Sequence, residues 1–128
     1  MADETEKGAS AREFSVIIVE DEFLIAMDLE SILEKNGHQV IGIAATVAAA
    51  LRLLETERPD VAVLDVNLRG ELVTPVARRL RSLAIPFVIS SAYPSLDFDD
   101  SEILMDAQHL GKPIREQRLV DALNLAVG

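Results

Sequence analysis

Short apolar runs and stretches with helical spacing alternate along the chain. Val16-Ile17-Ile18-Val19, Val61-Ala62-Val63-Leu64 and Phe87-Val88-Ile89 are continuous apolar runs, the pattern of strands buried on both faces. They predict strands over Phe14–Val19, Val61–Asp65 and Phe87–Ser90. Gln39–Ile43 reads as a further strand, and Gln108–Gly111 as a weaker fifth. Glu22–Asn36 predicts the first helix, with Phe23, Ala26, Met27, Ile32 and Leu33 at three- and four-residue spacing and Gly37 as its C-cap. Thr46 caps a second helix that runs to about Glu57, and Pro59 stops it. A loop over Val66–Glu71, centred on Gly70, leads to a third helix over Leu72–Leu83 that holds Pro75 in its first turn. Arg115–Val127 predicts the last helix, with Leu119, Val120, Leu123 and Val127 on one face.

Between the fourth strand and Gln108 the pattern weakens. Tyr93-Pro94-Ser95 reads as a turn and Asp97-Phe98-Asp99-Asp100 is acidic, so a fourth helix around Ile103, Leu104 and Met105 is expected to be short or irregular. Residues 1–12 are polar and small and read as a flexible tail before a domain over 13–128. Five strand–helix repeats imply right-handed crossovers and an α/β, doubly wound parallel sheet. The flavodoxin-like (βα)5 order 2-1-3-4-5 sets strands one and three side by side, with the switch point between them.

That order carries chemistry to one edge. Glu20 and Asp21 follow the first strand, Asp65 ends the third, Ser90 and Ser91 end the fourth, and Lys112-Pro113 follow the fifth. Carboxylate oxygens suit a hard divalent cation such as Mg2+, and a carboxylate is a competent nucleophile toward phosphorus. The set therefore points to metal-assisted phosphorylation of one aspartate. An acidic pair at a helix N-terminus is favoured electrostatically in any case, so Glu20-Asp21 alone carries little.

Composition narrows the function classes. The 128 residues suffice for one domain with an aliphatic core, at 49% apolar but only 4% aromatic. The absence of cysteine excludes disulfides, zinc–thiolate sites and thiol catalysis. No apolar run approaches the ~20 residues of a membrane span, and Met1–Arg12 lacks the order of a signal peptide. A cytoplasmic protein with no membrane attachment is expected. The net charge of −10 argues against nonspecific nucleic-acid binding. Arg69, Arg78, Arg79 and Arg81 cluster in the less acidic second half, either as a solvated face or as a patch for an acidic partner.

Four motifs in order carry a resemblance: Val-Ile-Ile-Val-Glu-Asp-Glu at 16–22, Pro-Asp-Val-Ala-Val-Leu-Asp at 59–65, Pro-Phe-Val-Ile-Ser-Ser-Ala at 86–92, and Lys112-Pro113. From residue 14 to 127 the chain resembles the receiver domain of bacterial two-component response regulators. The loop over 65–71 is similar to that of regulators partnered with HWE-type histidine kinases. The resemblance implies that Asp65 is the phosphoacceptor. It implies that Glu20, Asp21, Asp65 and the backbone carbonyl of Asn67 hold Mg2+, with Asp21 the more direct ligand. Lys112 would neutralise the phosphoryl group, and the Lys112-Pro113 bond would be cis. The family's spacing selects Ser91 over Ser90 as the hydroxyl that moves to the phosphoryl oxygen. His109 stands where the family usually has an aromatic switch residue, and a histidine at a sheet edge is also an ordinary structural feature. Tyr93, two residues after Ser91, departs from the pattern, as does the weak fourth helix. His38 reads as structural or solvated.

The resemblance implies a stand-alone, single-domain switch rather than an enzyme. It would accept a phosphoryl group from a histidine kinase or histidine phosphotransfer protein and act on an unidentified downstream protein. The kinase would dock on the first helix, where Phe23 and Leu24 are candidates. Two alternatives use the same residues: a receiver-like interaction module not controlled by phosphorylation, and a Mg-dependent aspartyl phosphatase. The latter would want a second acid where Asn67 stands.

Overall fold

The computed structural model describes residues 13–91 and 107–128. The expected tail at 1–12 and the expected short or irregular fourth helix within 92–106 lie outside the described residues. Strands β1 (Ser15–Val19), β2 (Gln39–Ala44), β3 (Val61–Asp65), β4 (Phe87–Ser91) and β5 (Gln108–Gly111) form one sheet in the order β2-β1-β3-β4-β5. All neighbours are parallel, which is the expected order.

Alternation along the strands builds two cores. Ile17, Val19, Ala62, Leu64 and Ile89 face helices α2 (Val47–Thr56) and α3 (Thr74–Ser82). Val16, Ile18, Val61, Val63, Val88 and Leu110 face α1 (Phe23–Lys35) and α4 (Glu116–Val127). The sheet is thus covered on both sides, which explains the unbroken apolar runs. Thr46 caps α2 as expected, its side chain accepting from the Ala49 N–H at 3.0 Å. His38 is structural: its Nδ1 accepts from the Phe14 N–H at 3.1 Å and its ring stacks on Phe14 at 4.7 Å.

Two helices depart from the expected pattern. In α1 the buried positions are Ala26, Leu29 and Leu33, whereas Phe23 is 72% exposed and Met27 is 43% exposed. The helix starts where the chain leaves the sheet, so Phe23 and Leu24 in its first turn stand clear of the core, and Met27 lies one turn on along the same outer face as Phe23. The third helix begins at Thr74 rather than Leu72. Glu71–Leu72 instead pairs antiparallel with Asn67–Leu68 in a small hairpin. Arg69 and Gly70 turn that hairpin with φ of 56° and 89°, the pair of positive φ angles that a two-residue type I′ turn requires.

The face assignment of α1 is testable by substitution. Leu29→Ala, at a position 2% exposed, should cost about 2–5 kcal/mol in urea unfolding. Met27→Ala should cost less than about 1 kcal/mol. Equal losses would put the helix in the wrong rotation.

Candidate functional site

The strand ladder brings the charged residues together. The Glu20 N–H donates to the Ala44 carbonyl at 2.9 Å, so the backbone stays tied to β2 one residue beyond β1. Its side chain turns inward and is almost fully buried. Asp65, the last residue of β3, lies in register with Ser90 of β4 and is also buried. Lys112 follows β5, and the Lys112–Pro113 peptide bond is cis.

At the sheet edge the Lys112 Nζ donates to Glu20 Oε1 at 3.0 Å and stands 3.4 Å from Asp65 Oδ2. The other oxygen of Glu20 accepts from the Glu22 N–H at 3.1 Å. Asp21 completes the cluster: one carboxylate oxygen from each of Glu20, Asp21 and Asp65 lies within 4.8 Å of the others. Sequence reasoning named these four residues, and the fold brings all four together.

The electrostatics follow from burial. Loss of water pushes the Glu20 carboxyl up to about 7, against the Lys112 hydrogen bond, while the Asp65 charge adds to the rise. Burial likewise raises Asp65 above the usual aspartate range, although the Lys112 charge opposes it. For Lys112 burial acts downward, but the Glu20 hydrogen bond and the Asp65 charge outweigh it, and the ammonium ends above its ordinary value. One half-buried cation thus faces two buried carboxyls and a third close by. The all-oxygen donor set and its unbalanced negative charge fit a hard divalent cation.

Asn67 uses its side chain for the turn: Oδ1 accepts from the Gly70 N–H at 2.6 Å. Ser90 is fully buried in β4, and its Oγ has no hydrogen-bond partner among the described residues. Ser91 ends β4 opposite Gly111; its side chain and all of Tyr93 lie outside the described residues. His109 pairs in register with Ile89, within the sheet. Phe23 and Leu24 are exposed at the start of α1, beside the acidic pair.

Arg69 was not recognised as a site residue from its sequence context. Its Nε lies 3.4 Å from Asp21 Oδ2, and its Nη2 lies 3.5 Å from the Asp21 carbonyl oxygen. The legible signal was Arg-Gly between Asn-Leu and Glu-Leu, a two-residue hairpin that projects its first turn residue towards the β1 end.

Comparison with known proteins agrees with this geometry. A family model described as the response regulator receiver domain matches residues 16–124. The phyllosphere-induced regulator PhyR of Methylorubrum extorquens is 38% identical over 82 residues, covering 62% of this chain and 31% of that protein. Sporulation initiation phosphotransferase F of Bacillus subtilis is 30% identical over 111 residues, covering 84% of this chain and 89% of that protein. The solution structure of SdrG from Sphingomonas melonis superposes with a TM-score of 0.77 at 40% identity, covering 89% of this chain and 96% of that one. The chain spans about a third to a little over half the length of the first curated relatives it matches.

The buried Glu20 makes stability depend on pH. Between the ordinary glutamate value of 4.5 and about 7, the folded chain holds a proton that the unfolded chain has released. Its contribution is full below 4.5 and is lost as pH rises through about 7. His38 acts with the opposite sign, since burial lowers its pKa and stability falls as pH drops below 6.5. The difference between wild type and Glu20→Gln isolates the first effect. In metal-free buffer, the melting temperature of wild type should fall relative to the variant from about pH 5 to about pH 7.5. A pH-independent difference would contradict the assignment.

Proposed function

The chain belongs to the response regulator receiver family, and from that membership we propose that it is a phosphoryl-accepting signalling switch with Asp65 as the acceptor. The observation that carries the reading is the placement of Asp65: held at a strand end, buried, 3.4 Å from the Lys112 ammonium and beside Glu20 and Asp21. An Asp65 oxygen attacks the phosphorus of a phosphohistidine on a histidine kinase or phosphotransfer protein. A P–O bond forms, the P–N bond breaks, and the imidazole leaves.

Glu20, Asp21, Asp65 and the backbone carbonyl of Asn67 are the residues that would hold Mg2+. The ion supplies positive charge for the phosphoryl oxygens. Lys112 is already oriented toward Asp65 and supplies further charge to the same oxygens. Glu20 holds Lys112 in place, and its other oxygen is anchored by the Glu22 N–H. In this reading the Ser91 hydroxyl donates to the phosphorylated Asp65, and Ser91 and His109 form the switch that alters a protein-binding surface.

Several observations support the partner assignments. The exposed Phe23 and Leu24 give α1 an apolar patch next to the acceptor, suited to a docked kinase or phosphotransfer protein. The 65–71 loop favours a kinase of the HWE type. The net charge of −10 favours output through a protein rather than nucleic acid. Among the described residues no helix is long and apolar enough to cross a membrane, which supports a cytoplasmic location. The chain would act as a switch that assists its own phosphorylation and dephosphorylation, not as a turnover enzyme. A phosphatase is disfavoured because the position that would need a second acid holds Asn67, whose amide oxygen is committed to Gly70.

Incubation with acetyl phosphate followed by intact-mass analysis tests the proposal. Wild type should gain a Mg2+-dependent phosphoryl adduct, and Asp65→Asn should gain none. Lys112→Ala should acquire it about a hundredfold more slowly. Failure of wild type to take up phosphate from both acetyl phosphate and a phosphohistidine donor would favour an interaction module instead.

A further inference from the structure

The three carboxylates of the site do not share one cation. Lys112 serves Glu20 and Asp65, and its side chain is only 15% exposed. Asp21 has a separate counter-charge, Arg69, whose side chain is 78% exposed. Arg69 is the first turn residue of the hairpin that follows Asp65. Its position is set by its own positive φ, by Gly70 behind it, and by the Asn67 side chain on the Gly70 N–H. The Val73 N–H closes the loop on the Val66 carbonyl at 2.9 Å. The turn therefore delivers a guanidinium to Asp21 Oδ2 while Glu20 and Asp65 stay with Lys112.

We infer that Arg69 is a resident counter-charge on Asp21 that a divalent cation must displace, so that the 67–70 turn sets the metal affinity of the site. This rests on the metal-assisted reading above. A carboxylate already paired with a guanidinium offers less charge to a metal ion, and the two cations repel across the short gap. The exposed position of Arg69 makes its contact weak and replaceable, as exposed ion pairs are. Arg69 thus balances the acidic mouth before the metal enters without closing the site. The interior Lys112 cannot be exchanged so easily, because removing it would leave Glu20 and Asp65 buried and unpaired.

The test is calorimetric Mg2+ titration of the full chain, stripped of metal, at low ionic strength. Wild type is compared with Arg69→Gln, Arg69→Asn and Arg79→Ala. Gln keeps part of the aliphatic stem and the backbone preference of Arg69 without its charge, and Asn tolerates left-handed backbone well, so one covers a folding failure of the other. Arg79 lies in the last turn of α3, toward the opposite edge of the sheet, and controls for the change in net charge. Both Arg69 variants should bind Mg2+ about two- to fivefold more tightly than wild type, with the gain shrinking at high salt. Arg79→Ala should match wild type. In NMR spectra the Arg69 Nε–H signal should move toward that of a solvated guanidinium as Mg2+ saturates the protein.

Mg2+ binding by wild type with no gain in the Arg69 variants, an equal gain in Arg79→Ala, or an unmoved Nε–H signal would overturn the role of Arg69 alone. No Mg2+ uptake by wild type would overturn the metal reading and this inference together.

Discussion

The parallel ladder through β1, β3 and β4 is the constraint on which the site depends. All five residues of β3 are buried, because helices cover both faces of the sheet. A one-residue slip would send every side chain of this strand into the opposite core, whose packing it does not fit. Asp65 is therefore held where the ladder ends, level with Ser90 on one side and next to the end of β1 on the other. Each fully buried aliphatic side chain contributes roughly 1.5–3 kcal/mol, and that stabilisation is what offsets holding carboxyls away from water.

From this placement the charge arrangement follows. Glu20 and Asp65 are pushed toward their neutral forms by burial, and among the described residues Lys112 is the one cation deep enough to oppose this. The ammonium is brought to them by the loop after β5. The start of α4 is in turn held against the end of α1, where Glu116 accepts from Lys35 at 3.0 Å and from Asn36 at 3.1 Å. Exposed contacts of this kind stabilise little. The outcome is a pocket short of positive charge, which suits the binding of a metal ion and a phosphoryl group in turn.

The same geometry separates a fixed interior from an exchangeable rim. Inside, Glu20 and Lys112 hold each other and Glu20 is also anchored to backbone. At the rim, Asp21 meets Arg69 on a two-residue turn, and Phe23 and Leu24 open an apolar surface on α1. The rim contacts are those that a metal or a docking partner can replace without disturbing the core.

The strand pattern, the strand order and the four charged positions were legible in the sequence alone. Continuous apolar runs mean strands buried on both faces, and parallel strands align their carboxyl ends whatever the details of the helices. Glu20, Asp21, Asp65 and Lys112 were therefore predictable as neighbours. What the sequence left undecided depends on rotation and on turn geometry. Periodicity put Phe23 and Met27 inside α1, but the angle at which the helix leaves β1 buries Leu29 and exposes them. The Val66–Glu71 segment read as a loop because Arg-Gly is a weak hairpin signal beside Asn-Gly, yet pairing of Asn67–Leu68 with Glu71–Leu72 sets both φ angles positive. That pairing alone aims Arg69 at Asp21, residues 48 positions apart in sequence. A contact made across such a separation, from an exposed side chain on a turn, leaves no periodic trace, and only the folded backbone could place it.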